Sequence, residues 1–178
     1  MRKTGFAIVV SEMNVLATER LILRRVTTDD AEVILELLNE PAFIRYVADR
    51  EVRTTAQAAE FIVAKMLPSY VEFGFGFYLV ELKESRVPVG ICGLIKRDTL
   101  DDVDLGFSIL HRFWRNGYAY EAAHAVMDYG KSVLGLPRIV AVTARDNESS
   151  TKLLEKLGLR FEKMIHLPGY GAESKLFG

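Results

Sequence analysis

Hydrophobic and polar positions alternate along this chain in two periods, and the switches between them mark out its elements. Over Val103–Leu110, the residues Val103, Leu105, Phe107 and Ile109 alternate with Asp104, Gly106 and Ser108, which predicts a half-buried strand. From about Tyr118 to Leu134 the period becomes helical. Ala119, Ala122, Ala123, Val126, Gly130 and Val133 share one face, and Gly135 and Pro137 stop the helix. Arg138–Thr143 returns to a strand pattern. Strand, helix and strand make a βαβ unit, which is right-handed and normally parallel.

The segments upstream read in the same way. Phe75–Lys83 and Val87–Lys96 are strands joined by a polar turn at 84–86, and a turn at 98–102 leads into Val103. Three strands joined by short turns form an antiparallel meander. Glu19–Val26 is a further strand. Thr27–Asp30 supplies capping side chains to a helix carrying Val33, Ile34, Leu37 and Leu38, and Pro41 ends it. A second helix, capped by Thr54 or Thr55, carries Ala58, Phe61, Ile62 and Met66 and is stopped by Pro68. After Thr143, a polar loop over Ala144–Ser150 precedes a helix at Thr151–Leu157 with Gly158 as its stop, and a hairpin closes the chain. The fold class is therefore α/β (α+β): a mixed, mostly antiparallel sheet flanked by helices, with a central βαβ unit. Residues 1–17 are weakly patterned and read as a lead or an added strand, and residues 18–178 read as one domain.

Composition narrows the function. With 178 residues, 49% of them hydrophobic, and a formal net charge of −1, the chain is an ordinary globular protein with enough length for a sizeable core. It lacks the basic surplus expected of a nucleic-acid binder. One cysteine, Cys92, excludes an intrachain disulfide and suits a reducing compartment. The apolar run Phe6–Val10 is too short for a signal segment, and no stretch reaches the length of a membrane span. These features lead us to expect a cytoplasmic enzyme without nucleic-acid or membrane partners, as a monomer or homodimer. No His/Cys/Asp/Glu spacing resembles a metal site.

The loop between the first strand and the helix of the βαβ unit is Arg112-Phe-Trp-Arg-Asn-Gly117. A helix N-terminus presents unpaired N–H groups and partial positive charge, a glycine before it lets the backbone close around an anion, and the arginines add charge. The loop reads either as a phosphate cradle or as a plain turn whose glycine relieves strain. It matches neither G-x-x-x-x-G-K-[ST] nor G-x-G-x-x-G, so ATP and NAD are not indicated.

Arg115-Asn-Gly117-Tyr-Ala119 resembles the coenzyme A pyrophosphate loop of the GNAT acetyltransferases, whose pattern is Q/R-x-x-G-x-G/A; Gly117 and Ala119 match its last two fixed positions, and Trp114 stands at the first. An aromatic there, followed by Gly-Tyr-Ala and Glu121-Ala122, is similar to the branch that includes the ribosomal-protein N-terminal (alanine/serine) acetyltransferases. The opening Thr18-Glu-Arg-Leu-x-Leu-Arg24 resembles the start of that branch. Asn147-x-x-Ser150 with Leu153-Leu-Glu-Lys-Leu-Gly158 resembles its last cofactor helix. The resemblance runs from about Thr18 to the C-terminus. It implies an acetyl-CoA-dependent N-acetyltransferase, without a metal, acting on a primary amine: a protein N-terminal α-amine or a small-molecule amine. The alternative is a non-catalytic acyl-CoA-binding sensor or interaction domain on the same fold.

The resemblance also implies roles for residues. Backbone groups of Arg115, Asn116, Gly117, Tyr118 and Ala119 would hold the pyrophosphate, those of Ser108, Ile109 and Leu110 would run beside the pantetheine arm, and Asn147 would hydrogen-bond the arm or cap a helix. The tyrosine that protonates the leaving thiolate in many members is replaced by Leu154, and Ser150 is the nearest substitute, or else a helix cap. Asp104 shares a strand face with Ser108 and is a candidate base or a solvated strand residue. Tyr170 and Glu173 could line the acceptor pocket. His111 belongs at the cofactor mouth, His124 in solvent, and His166 in the final hairpin. Cys92, in mid-strand with nothing nearby to lower its pKa, is expected to be a small buried hydrophobe.

Overall fold

The computed structural model describes residues 14–170 and 172–178. One sheet of eight strands organises them. In chain order these are β1 (Asn14–Ala17), β2 (Leu21–Arg25), β3 (Phe77–Leu82), β4 (Pro88–Ile95), β5 (Val103–Ile109), β6 (Ile139–Ala144), β7 (Phe161–Ile165) and β8 (Ser174–Phe177). Their spatial order is β1-β2-β3-β4-β5-β6-β8-β7. Every neighbouring pair is antiparallel except β5–β6, which is parallel and is joined by α5 (Tyr118–Ser132), so the expected meander and βαβ unit are both present. Part of the lead is an added edge strand, since β1 pairs with β2; Met1–Met13 lie outside the described residues.

Helices cover both faces. Ala122, Ala123, Val126 and Met127 of α5 pack on Leu94, Val103, Leu105 and Ile139. Gly130 lets α5 lie close on the sheet: a Cβ there would stand 2.7 Å from Ile139 Cδ1 and would push the tip of that side chain aside. Val133, which the helical period puts on the same face, is instead exposed: α5 ends at Ser132, and the next residue turns away. On the opposite face, α1 (Ala31–Asn39), α2 (Pro41–Tyr46) and α3 (Thr55–Phe61) pack Ile34, Leu37, Leu38, Phe43 and Ala58 against Leu79 and Ile91 of the sheet.

Of the two prolines expected to end helices, Pro41 does, since α1 stops at Asn39 and Glu40 before the proline is extended, whereas Pro68 does not. Pro41 opens α2 at its first turn, where a missing N–H has no partner to lose. Pro68 lies in the first turn of α4 (Leu67–Glu72), which continues from α3 through a π-helical turn at Ile62–Met66. That wider turn shifts the carbonyls upstream, so the proline ring does not meet one. Thr54, not Thr55, caps α3: its hydroxyl accepts from Gln57 N at 3.2 Å, and the Gln57 side chain accepts from Thr54 N at 3.1 Å.

Arg24 fixes α1 to the sheet. Its guanidinium meets Asp30 Oδ1 at 2.7 Å, at the start of α1, and Glu81 Oε1 at 2.7 Å, on β3. Both carboxylates are buried, and Arg24 is itself mostly covered. Removing one member of a buried charge network leaves the others uncompensated, at a cost of about 3–5 kcal/mol. Arg24→Ala is therefore expected to lower stability in urea unfolding by about 3 kcal/mol or more, and Arg24→Lys to rescue little, because an ammonium cannot reproduce the planar fork that serves both carboxylates.

Candidate active site

Strands β5 and β6 pair through only three registers, Val103↔Ile139, Asp104↔Val140 and Leu105↔Ala141. Beyond them β6 continues beside β8, and β5 continues beside β4. The sheet opens into a fork. Just past β5 the N–H of Leu110 goes to Val89 O of β4 at 2.9 Å, and by alternation the backbone groups of Ser108 also face β4. Those of Phe107 and Ile109 face the opening. Of the three residues Ser108, Ile109 and Leu110 expected beside the pantetheine arm, only Ile109 turns its backbone into the fork, and its carbonyl is occupied: Trp114 Nε1 donates to it at 2.6 Å. Trp114, standing where the pattern it resembles has a polar residue, thus ties the loop before α5 to the strand.

Asp104 sits at the apex of the fork. It is 1% exposed, so it is not the solvated strand residue that its type and alternation allow. Its Oδ1 accepts the Val142 N–H at 3.1 Å, the first β6 amide beyond the paired registers, and its Oδ2 meets Arg97 Nε at 2.6 Å. Arg97 in turn donates to the Tyr170 hydroxyl at 3.1 Å and stacks over its ring at 5.4 Å. Burial pushes the Asp104 carboxyl up to about 6, against the opposing pull of Arg97 and the Val142 amide.

The loop at the end of β5 runs through a single 3-10 turn at His111–Phe113 into α5. Arg115 and Gly117 are both left-handed, with φ of 64° and 79°. Successive turns of this kind point backbone N–H groups to one side, as a nest. Among the described residues, the amides of Arg115, Asn116, Gly117, Tyr118, Ala119 and Tyr120 have no backbone acceptor. The Asn116 side chain closes the loop on itself, donating to Phe113 O and Trp114 O at 3.0 and 3.1 Å. Arg20 holds it from outside: it donates to Asn116 O at 2.9 Å, pairs with Glu121 Oε2 at 2.7 Å, and lies over the Tyr118 ring. Glu121 Oε1 also accepts from the Thr18 hydroxyl at 2.6 Å and the Arg20 N–H at 2.9 Å. Thr18 and Arg20 therefore support the loop. Their signal was the Thr-Glu-Arg opening, but nothing in the sequence alone pairs it with Glu121, about a hundred residues away.

A cavity of about 490 Å³ begins in the fork and continues beneath α1, α2 and α3. Asp104, Ser108, Asn147, Ser150, Leu154 and Tyr170 all line it, so the structure gathers those residues at one place. Asn147 caps α6 (Glu148–Lys156), its Oδ1 accepting from Ser150 N at 3.1 Å, which leaves its amide NH2 to donate. The helix starts three residues earlier than its apolar spacing predicts, because Asn147 rather than a serine is the cap; Ser150 lies inside the first turn, with its hydroxyl on the cavity wall. Leu154, 1% exposed, presents only a hydrocarbon surface there.

Other candidates lie elsewhere. The His111 ring lies against Trp114 at a tilt of 59°, and its backbone N–H donates to Glu40 Oε1, outside the cavity. His124 is solvent-exposed beside Asp128. Glu173 faces His166 across the final hairpin at 3.8 Å and does not line the cavity. Cys92 is fully buried, and burial pushes its thiol pKa up, away from reactivity. Among the described residues no group of three or more His, Cys, Asp or Glu side chains could hold a metal, and no helix is long and apolar enough to cross a membrane.

Comparison with known proteins agrees with this geometry. Residues 20–160 match the family described as the acetyltransferase (GNAT) domain. An uncharacterized N-acetyltransferase of Bacillus subtilis (strain 168), YoaA, is 33% identical over 153 residues, covering 85% of each chain. Among solved structures, a GNAT-family acetyltransferase from Bacillus anthracis superposes with a TM-score of 0.75 at 24% identity, covering 91% of this chain and 95% of that one. RimL, a ribosomal L7/L12 α-N-protein acetyltransferase in complex with coenzyme A, superposes with a TM-score of 0.78 at 13% identity, covering 92% and 96%. The family pattern spans most of the chain and includes the loop, the fork and the capped helix that build the site, and so this protein belongs to the GNAT N-acetyltransferase family.

Proposed function

We propose that the protein transfers the acetyl group of acetyl-CoA to the α-amine of its acceptor. What carries this reading is the run of unsatisfied amides at Arg115–Tyr120, which opens beside a forked sheet leading to an enclosed cavity. An anion on those amides gains hydrogen bonds that the protein does not otherwise make. The pyrophosphate of CoA is such an anion, and the fork beside it takes the extended pantetheine arm. The Asn147 amide NH2, not used by the capping bond, would donate to the arm.

In the reaction the amine nitrogen attacks the thioester carbon, the C–S bond breaks, and the thiolate leaves. The Phe107 and Ile109 N–H groups on the open edge of β5 are placed to polarise a carbonyl in the fork, and one such donor is worth about 3–4 kcal/mol in a transition state. Asp104 is the only carboxylate on the cavity wall among the described residues. Ionised, it takes the proton that the neutral amine sheds as it attacks, directly or through a water. Ser150 is the hydroxyl available to the thiolate. A thiol of pKa about 8.5 leaves readily near neutral pH, so this last assistance is modest.

The preference for α-amines follows from charge. An α-amine titrates near 8, and a lysine near 10.4, so a site with a single weak base selects the former. The α-N-protein activity named for RimL points the same way. Screening amino acids, peptides with free N-termini and N-blocked lysine peptides for acetyl-CoA-dependent thiol release tests the proposal. We expect turnover with free α-amines and little with the lysine side chain. Exclusive lysine acetylation would overturn the preference, and CoA binding with no turnover on any amine would favour the sensor.

A pH profile tests Asp104. Since kcat/KM reports the free enzyme and free acceptor, its logarithm should rise with a slope of about one below the amine pKa of about 8, and steepen to about two below pH 6, where Asp104 takes its proton. Asp104→Asn should show no steepening. Unfolding does not explain such a loss: the folded pKa is raised above the unfolded value of about 3.9, so Asp104's contribution to stability grows as pH falls through this window. Circular dichroism over the same range checks this.

A further inference from the structure

The acceptor half of the cavity carries more positive charge than its own residues balance. Its walls are apolar, from Leu37, Phe43, Val47, Phe61 and Met66, but three cations reach it. Arg97 is matched by Asp104. Arg50 and Lys65 make no ion pair or side-chain hydrogen bond among the described residues, and no second carboxylate lines the cavity. Arginines nearby are paired: Arg45 with Asp146, Arg53 with Asp49, and Arg112 with Glu36.

The pairing around Arg50 explains its isolation. It stands between Asp49 and Glu51, either of which could in principle neutralise it. The Asp49 carboxylate is used twice, by Arg53 Nη2 at 2.5 Å and by the Glu51 N–H at 2.9 Å. Glu51 adopts a left-handed conformation, φ 56°, which side chains other than glycine's rarely enter. The Glu51 carboxylate makes no ion pair or hydrogen bond with Arg50 among the described residues. The apolar stems of Arg50 and Lys65 lie on the cavity wall, and their heads remain in water, where approach of an anion is opposed by little desolvation.

We propose that the acceptor is an amphiphilic amine: an apolar body that fills the pocket beneath α1–α3, bearing an anionic group that Arg50 and Lys65 receive at its mouth. The chemistry is shared by an apolar amino acid, through its own carboxylate, and by a peptide with an apolar first residue and an acidic second one. This proposal rests on the transfer reading and names its acceptor class. With Asp104 and Arg97 neutralising each other at the apex, the two unpaired cations at the mouth orient a molecule that has its amine at one end and its acid at the other.

Product binding tests the proposal without requiring turnover. N-acetyl-L-phenylalanine, N-acetyl-L-phenylalaninamide and N-acetyl-Phe-Glu-amide are titrated calorimetrically into the protein saturated with CoA, at low ionic strength. At least one of the two acids should bind about tenfold tighter than the neutral amide, the acid that does so identifying the source, and the gap should close as salt screens the exposed charges. The Arg50→Ala/Lys65→Ala protein should lose that advantage while its affinity for CoA and for the neutral amide stays unchanged. Equal affinity of acids and amide, no detectable binding of any product, or an advantage that survives the double substitution would overturn the proposal. So would a weakened affinity for CoA, which would assign the cations to the cofactor. Amines that release CoA without acid preference would defeat this inference alone, whereas acids that bind without any amine being turned over would defeat the transfer reading alone.

Discussion

The site depends on one interruption: the β5–β6 ladder stops after three registers. A continuous ladder would satisfy every backbone group between these strands and leave no room for a ligand. Ending it exposes a strand edge inside the protein, and buried unpaired amides are unfavourable. Several contacts manage that exposure. Asp104 takes the Val142 amide at the apex, the Trp114 indole takes the Ile109 carbonyl farther out, and β8 covers the far side of β6. What remains unpaired is the stretch that faces the cavity. The arm of a cofactor carrying amides of its own can complete this broken ladder.

The same logic governs the loop above the fork. Left-handed Arg115 is unfavourable, left-handed Gly117 is not, and six amides of the loop have no protein acceptor among the described residues. This arrangement persists because Arg20, Glu121 and Thr18 clamp the loop to the β1–β2 corner, and Asn116 ties it internally. The long separation in sequence between these partners makes the site a property of the folded domain rather than of the loop. The apolar helices α1–α3 play the matching part on the acceptor side. They depend on Arg24 for attachment to the sheet, so a charge network remote from the chemistry shapes the pocket beneath them.

Much of this was legible in the sequence, because periodicity reports burial directly. The meander, β5, α5 and β6 follow from alternation and helical spacing, and the glycine before α5 marks its turn. The features that were not legible share a cause: each is decided by a distant partner or by a detail of backbone geometry. An aspartate in an alternating strand looks solvated until Arg97 and Val142 are brought to it. Pro68 looks like a stop until the π-helical turn before it is seen. Asn147 was ambiguous between ligand and cap, and the cap uses only one end of its amide, so the structure accommodates both. The isolation of Arg50 is invisible in the string Asp-Arg-Glu, where its neighbours seem to neutralise it.

The central claim is that the amides left open by the nest and the fork are the coenzyme A site. The most direct measurement is amide NMR on the labelled protein during titration with CoA. The account predicts that the amides of Arg115–Tyr120, together with Phe107 and Ile109, show the largest shifts and gain protection from hydrogen exchange, and that Gly117→Glu loses these responses while remaining folded. Binding of CoA that leaves the Arg115–Tyr120 amides unmoved, or equal binding by folded Gly117→Glu, would contradict it.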